Sequence, residues 1–201
     1  LSQASNPAEL MSSEYVSAQV GEELTEQGGL AMIFALIMIM IYIVFRFQWK
    51  FSIGAVMALI HDVLITVGVF SFFQITFDLA VLATILAVVG YSLNDTIVIF
   101  DRIRENFRSM RRAETLDILN SSITQTISRT MITSSTTLLV LLALYIMGGQ
   151  SLEGFSVALI IGVLIGTYSS IFIASISIFY LDISTSDLLP SKREEVDDGM
   201  P

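Results

Sequence analysis

Residues 89–106 read VGYSLNDTIVIFDRIREN, and this stretch decides the fold. It begins inside a long apolar run, contains the pair Asn94-Asp95 within that run, and ends in a charged segment that no lipid would accept. Because apolar residues flank Asp95 for about two helical turns on each side, its carboxylate must lie in a membrane or a buried core. A charge is costly in either place, so Asp95 is a candidate functional residue.

The composition predicts an integral membrane protein. Of the 201 residues, 54% are hydrophobic and only 14% are charged, and the mean hydropathy is +0.75. Cysteine is absent and there is one histidine, which excludes disulfides and thiolate metal sites, and we expect no cofactor. The net charge of −9 comes largely from acidic residues near the two ends, and no basic groove for nucleic acid is present.

The apolar runs predict an all-α fold, a transmembrane bundle of five helices. The predicted spans are residues 30–47, 51–73, 79–100, 121–147 and 155–181, each long enough to cross the hydrocarbon layer. We expect residues 1–29 to be the end of an aqueous domain that leads into the membrane. Residues 101–120 are predicted to be an amphipathic segment at the membrane surface and residues 182–201 a polar tail. Since the sequence opens with Leu1 rather than Met, we expect it to be part of a longer polypeptide.

The positive charges predict the orientation. Nine of the ten Lys and Arg residues fall on one side of the predicted spans, and the tenth, Arg129, lies within the fourth span. Cytoplasmic loops of membrane proteins are enriched in Lys and Arg, so this side is predicted to be cytoplasmic. The C-terminus would then be cytoplasmic and the N-terminal side periplasmic or extracellular.

Asp95 and Arg129 are predicted to lie at the same depth in neighbouring spans. Counted from the nearer ends of their spans, both are roughly 7 to 8 Å below the cytoplasmic surface at the usual helical rise. A carboxylate that pairs with an arginine, loses it and takes up a proton could couple proton flow to helix movement. Arginine stays charged throughout, so Asp95 would be the titrating group. The alternative is that the pair only holds two helices together.

Two other polar groups in the spans have open interpretations. His61 and Asp62 lie near the middle of the second span, where they could form a proton relay or a packed polar pair. The Ser and Thr residues that open the fourth span, among them Ser128, are more typical of hydrogen bonding between helices than of a pathway. The candidate site comprises Asp95, Arg129 and Asn94, with His61, Asp62, Thr96 and Ser128 as further members.

Four ordered blocks of sequence resemble the SecF family, which belongs to the resistance-nodulation-division superfamily. They are residues 58–63 (ALIHDV), 89–106, 124–130 (TQTISRT) and 148–155 (GGQSLEGF), and the resemblance extends from about Glu14 to Leu181. The Asn-Asp pair alone would be weak evidence. Four blocks in the same order across five spans are specific.

The resemblance implies a subunit that assists protein export. Members of this family have six spans and a periplasmic domain between the first two, so the present chain would contain spans two to six. They act with SecD and use the proton-motive force, or sodium in some marine bacteria, to help draw preproteins out of the SecYEG channel in the bacterial inner membrane. SecA and YajC are implied as associates. The family's intramembrane aspartate and arginine fall on Asp95 and Arg129. The coupling ion is predicted to be H⁺, with Na⁺ as the alternative, and no enzymatic activity is expected.

Several other functions compete with this one. A proton-driven exporter of small molecules or lipids from the same superfamily would have both halves in one much longer chain. An intramembrane aspartyl protease would need Asp62 and Asp95 close enough to share a proton, yet their predicted depths differ by about 7 Å. A serine protease using Ser92 and His61 lacks the glycine context of its nucleophile. A purely structural scaffold of the translocon is a further alternative. It predicts that neutralising Asp95 changes assembly or nothing, whereas proton coupling predicts intact assembly with lost function.

Overall fold

The computed structural model describes residues 18–47, 49–110, 112–181 and 183. Residues 1–17, Arg111 and the tail from residue 184 lie outside this part of the chain. The predictions made for the N-terminal segment, for the polar tail and for the charges of Arg111, Lys192 and Arg193 therefore concern residues outside it. Six helices are present within it, and five stretches of helix are long and apolar enough to cross a membrane. The helices are α1 (Ala18–Arg46), α2 (Trp49–Phe72), α3 (Leu79–Ser109), α4 (Thr115–Met147), α5 (Gln150–Ile171) and α6 (Ile173–Tyr180).

The predicted all-α transmembrane bundle is confirmed, and short connections make successive long helices antiparallel. Only a few residues join α1 to α2 and α4 to α5. Asp78 caps the start of α3, where its side chain accepts a hydrogen bond of 2.8 Å from the backbone N–H of Val81. Gly149 precedes α5 with a φ of +72°, a conformation that residues with a Cβ adopt at a cost. We call the end of the bundle that holds Arg46 and Lys50 the basic end.

Helices α3 and α4 extend beyond the spans predicted for them. The amphipathic segment predicted at residues 101–120 instead continues α3 to Ser109 and begins α4 at Thr115, with a short turn between. The reason is visible in the buried residues: Phe100, Ile103 and Phe107 continue one apolar face at helical spacing past the first charges. The charged residues mark the end of the apolar stretch. The helix itself continues, because its buried face still packs against neighbouring helices.

The fifth predicted span consists of two helices. Its backbone departs from regular geometry at Phe172, which ends α5 and precedes α6. Helix α5 is central, since it packs against α2, α3 and α4, whereas α1 contacts mainly α2. The closest approach is to α3, where Gly162 faces Val88 and Gly166 faces Ser92. These glycines belong to the small-residue face expected for close packing of membrane helices.

Two apolar clusters fill the ends of the bundle. The one at the basic end is built around the rings of Phe47, Phe51 and Phe100, whose centroids lie 5.2 to 6.2 Å apart. The one at the opposite end contains Phe70, Val81, Ile85 and Ala158. Between them along α2, α3 and α5 lies a polar layer of buried side chains: Asp62, Thr66, Ser92, Asp95, Thr96, Ser169 and Ser170. Polar side chains are costly among packed helices, so this layer is where function is to be sought.

Candidate functional site

Asp95 lies in the polar layer on the buried face of α3. The residue is 5% exposed, and its Oδ2 atom is buried without a hydrogen-bond partner in the described part of the chain. The adjacent Thr96 hydroxyl, on the same buried side, also lacks a partner there. Buried polar groups in folded proteins are nearly always hydrogen-bonded, so the unpaired carboxylate oxygen keeps Asp95 as the main candidate for a functional residue.

Arg129 lies on α4, and its side chain is exposed at the surface of this chain. Among the charged groups, Arg129 is the one that acts electrostatically on Asp95, although the two form no salt bridge in the described structure. Thr130 follows Arg129 on α4, and its hydroxyl is buried. Like the hydroxyl of Thr96 on α3, it has no hydrogen-bond partner among the described residues. Asp95 and Arg129 are thus close enough to attract one another but are not bonded.

A cavity of about 300 Å³ connects Arg129 with the basic end. Its lining comes from one face of α3 and the facing side of α4: Val98, Asp101, Arg102, Glu105, Gln125, Thr126 and Arg129. Arg102 donates a hydrogen bond of 2.6 Å to Glu105, and Arg46 of α1 lies 3.1 Å from Asp101. Val98 is three positions after Asp95, one helical turn, so the polar cavity ends about one turn from the buried carboxylate.

Two of the predicted site residues point away from the polar layer. Asn94 and Ser128 are both exposed on the surface of the chain, although each is adjacent in sequence to a main site residue. A helix turns about 100° per residue, so neighbours in sequence face different directions. Asp95, Thr96 and Asp62 are therefore the predicted site residues that are buried in the polar layer, whereas Arg129 is exposed.

His61 and Asp62 form a second polar group, which Ser92 joins. Asp62 is completely buried, and its Oδ2 accepts a hydrogen bond of 2.6 Å from the hydroxyl of Ser92 on α3. Its Oδ1 lies 3.2 Å from Nδ1 of His61, whose side chain is 26% exposed. The ring of His61 lies beside that of Tyr168 on α5, with 6.3 Å between centroids. The sequence alone suggests Ser92 only as a protease nucleophile, although its spacing three residues before Asp95 places it on the same helix face.

A second contribution that sequence reasoning missed is an amide clamp between α3 and α4. The side-chain amide of Asn106 donates to Ser122 Oγ at 2.8 Å and to Gln125 Oε1 at 3.0 Å. Asn106 and Ser122 are both buried. This clamp fixes the register of the two helices that bear Asp95 and Arg129. The sequence contained one sign of this clamp. Asn106 lies three residues after the apolar Ile103, so on a continuous helix the two share a face.

No group of three or more acidic or histidine side chains that could hold a metal ion occurs among the described residues. The family model for the C-terminal part of the protein-export membrane proteins SecD and SecF matches residues 1–183. The chain belongs to the SecD/SecF family. This confirms the resemblance seen in the four sequence blocks.

Relatives in the SecD/SecF family include protein translocase subunits SecF. The chain is 56% identical to the SecF of Pseudomonas aeruginosa over 198 residues, which cover 98% of this chain and 65% of that protein. It is also 56% identical to the SecF of Vibrio alginolyticus over 182 residues, covering 90% of this chain and 58% of that protein. The chain thus spans less than two thirds of the length of these relatives.

The fold is also that of a solved member of the family. The crystal structure of SecDF, a translocon-associated membrane protein from Thermus, matches with a TM-score of 0.77 and 42% identity. The match covers 83% of this chain and 23% of that one. A second crystal structure of SecDF, in a super-membrane-facing form, matches with a TM-score of 0.74 and 38% identity. These likenesses confirm the helical membrane architecture of the SecD/SecF family for this chain.

Proposed function

We propose that this chain is the membrane portion of a SecF-type subunit that helps move preproteins through the Sec translocon. Its relatives are named protein translocase subunits, and the solved neighbour is described as translocon-associated. In this proposal the subunit forms a complex with SecD in the bacterial inner membrane and acts on preproteins at SecYEG, with SecA and YajC as associates. The basic end faces the cytoplasm, in keeping with the distribution of Lys and Arg.

Proton flow through Asp95 and Arg129 provides the driving force in this proposal. One observation carries it: a buried carboxylate oxygen without a partner in the described part of the chain lies near a permanent cation that is reached from the basic end by a polar cavity. The unbonded arrangement suits a carboxylate that alternates between an ionised form attracted to Arg129 and a neutral, protonated form. Each change of charge would favour a different packing of α3 against α4, which couples protonation to movement.

The coupling ion in this proposal is H⁺. A proton neutralises Asp95 by forming an O–H bond, whereas a sodium ion would remain a full positive charge near Arg129, which repels it. Dependence of export on a sodium gradient at constant proton-motive force would contradict this choice of ion.

The test is Asp95→Asn in the full-length protein, in cells depleted of the wild type. The change preserves size and removes the titration, so export of a secreted reporter should be lost while the complex with SecD still co-purifies. Asp117→Asn is the matched control, because Asp117 is an exposed carboxylate in the first turn of α4 and its loss should leave export unchanged. Normal export by the Asp95→Asn variant would refute the coupling role and favour a structural scaffold.

A further inference from the structure

Asp62 is a buried carboxylate that the site around Asp95 and Arg129 does not use. It is completely buried in α2 and lies against Ser92, which is one helical turn farther from the basic end than Asp95. Its contact with α3 is therefore between Asp95 and the end opposite the basic end. The two apolar clusters close the bundle above and below this level.

The hydrogen bonds around Asp62 do not compensate a full negative charge. Ser92 donates one neutral hydrogen bond to Oδ2. The hydroxyl of Thr66 donates at 2.8 Å to the backbone carbonyl of Asp62 instead of to its carboxylate. The remaining contact is His61, which supplies a proton to Oδ1 only if its Nδ1 is protonated. A carboxylate buried with so few donors is incompletely compensated when it carries a full charge.

The surroundings of Asp62 contain few other charges. On α3 the facing groups are Ser92 and, one turn away, Asp95; on α5 the nearest titratable group is Tyr168, beside His61. Helices α1 and α6 have no charged residue between Glu26 and Arg46 or within Ile173–Tyr180. The side chain of His61 is 26% exposed and that of Asp62 is fully buried, so His61 is the member of the pair that reaches the surface of the bundle.

Ser92 is placed to connect the two carboxylates. A hydroxyl can donate one hydrogen bond and accept two, so it can pass a proton without holding a charge. Gly166 of α5 faces it so closely that an added Cβ would lie 3.0 Å from the Cβ of Ser92, which restricts where the serine can move. In the structure Ser92 bonds to Asp62 and not to Asp95, whose Oδ2 has no partner among the described residues. In this arrangement no hydrogen bond through Ser92 connects Asp62 with Asp95.

We propose that Asp62 is a second proton-binding carboxylate, which receives protons through His61 and passes them to Asp95 through Ser92. In the transfer, the proton of neutral Asp62 moves to Oγ of Ser92 while the hydroxyl proton of Ser92 moves to ionised Asp95. Asp62 is left ionised, Asp95 becomes neutral, and Ser92 is unchanged. Ser92 donates to Asp62 in the structure, so its hydroxyl must first turn to accept the hydrogen bond of protonated Asp62 and donate toward Asp95. The Asp95 side chain, on the same helix, must rotate to come within hydrogen-bond reach of Ser92. This inference rests on the proposed role of Asp95.

The test compares Asp62→Asn with Asp95→Asn in the full-length protein, using the same export and co-purification measurements. Asparagine keeps the size of Asp62, and its amide oxygen can still accept the hydrogen bond from Ser92, but it cannot bind a proton. The relay predicts loss of export with the SecD complex intact. Normal export by Asp62→Asn, when Asp95→Asn abolishes export, would overturn the relay and leave the proposed function standing. Normal export by Asp95→Asn would overturn the proposed function itself.

A pair of serine variants tests the connection independently of Asp62. Ser92→Ala removes the hydrogen bond to Asp62. Ser134→Ala removes a partly buried bond of the same length, 2.6 Å, between Ser134 and Thr167 in the same bundle. The relay predicts a clear loss of export for Ser92→Ala alone, at equal amounts of complex. Equal export by the two variants would show that Ser92 only joins helices and would refute the relay, even if Asp62→Asn fails to accumulate.

Discussion

Replacing Gly162 by alanine would place a methyl group inside the space of Val88. The added Cβ would overlap Cγ2 of Val88 and lie 2.6 Å from its Cγ1 and 2.9 Å from its Cβ. Carbon atoms pack best about 3.5 to 4.0 Å apart, so roughly 1 Å of separation is required. Val88 is completely buried and β-branched, with essentially one rotamer available in a helix, so α5 must move away from α3 instead.

The expected change in the free energy of unfolding has two parts. Overpacking costs about 1 to 3 kcal/mol, whereas replacing glycine by alanine in a helix gains up to about 1 kcal/mol. Gly90→Ala is the matched control, because a Cβ at Gly90 in α3 meets nothing within 4 Å and should show only the gain. The two alanine variants should therefore differ in stability by about 1 to 3 kcal/mol, with Gly162→Ala the less stable.

Unfolding of the purified protein in mixed detergent micelles, titrated with a denaturing detergent and followed by circular dichroism, measures this difference. If Gly162→Ala stabilises the helices as much as Gly90→Ala does, α5 is not in close contact with α3 at Val88. The close contact of Gly166 with Ser92, one turn along α5, would then also be in doubt.

Three further substitutions test individual contacts by the same measurement. Asn106→Ala removes the hydrogen bond to the buried Ser122 and should destabilise the protein by about 1 to 3 kcal/mol; an unchanged midpoint would contradict the clamp. Asp78→Ala removes the cap on the Val81 N–H and should cost about 1 kcal/mol, most of which Asp78→Asn should recover. Gly149→Ala should cost about 1 to 3 kcal/mol, because its φ of +72° is unfavourable for alanine, and no loss would indicate that the turn relaxes freely.

The sequence predicted the number and order of the membrane helices because both depend on local properties. Length and hydropathy define a span, and short connectors such as residues 74–78 force two spans into a hairpin. The ends of α3 and α4 were not predictable in the same way. Charged residues mark the end of the apolar stretch, but Ile103 and Phe107 keep the helix packed on its neighbours beyond that point.

The sequence predicted a common level for Asp95 and Arg129, but it could not predict the directions in which their side chains point. Counting residues gave Asp95 and Arg129 the same level, whereas only the rotation of α4 about its own axis leaves Arg129 exposed instead of bonded to Asp95. The contact between Ser92 and Asp62 has the same origin, since it depends on how α2 and α3 are rotated toward each other. These rotations are set by packing across the whole bundle, for example by Gly162 and Gly166, and not by any local pattern.

Helix α3 runs without interruption from the buried carboxylate to Ser109, well past the last residues of the apolar stretch. The 14 residues that follow Asp95, up to and including Ser109, form a helical arm of about 21 Å. A tilt of about 5° about Asp95 would move atoms one turn away by only about 0.5 Å but would displace the end of the arm by about 2 Å. The path through α5 and α6 lacks this property, because the helix is interrupted at Phe172. If α3 tilts about Asp95, a small displacement there would become a larger one at the basic end.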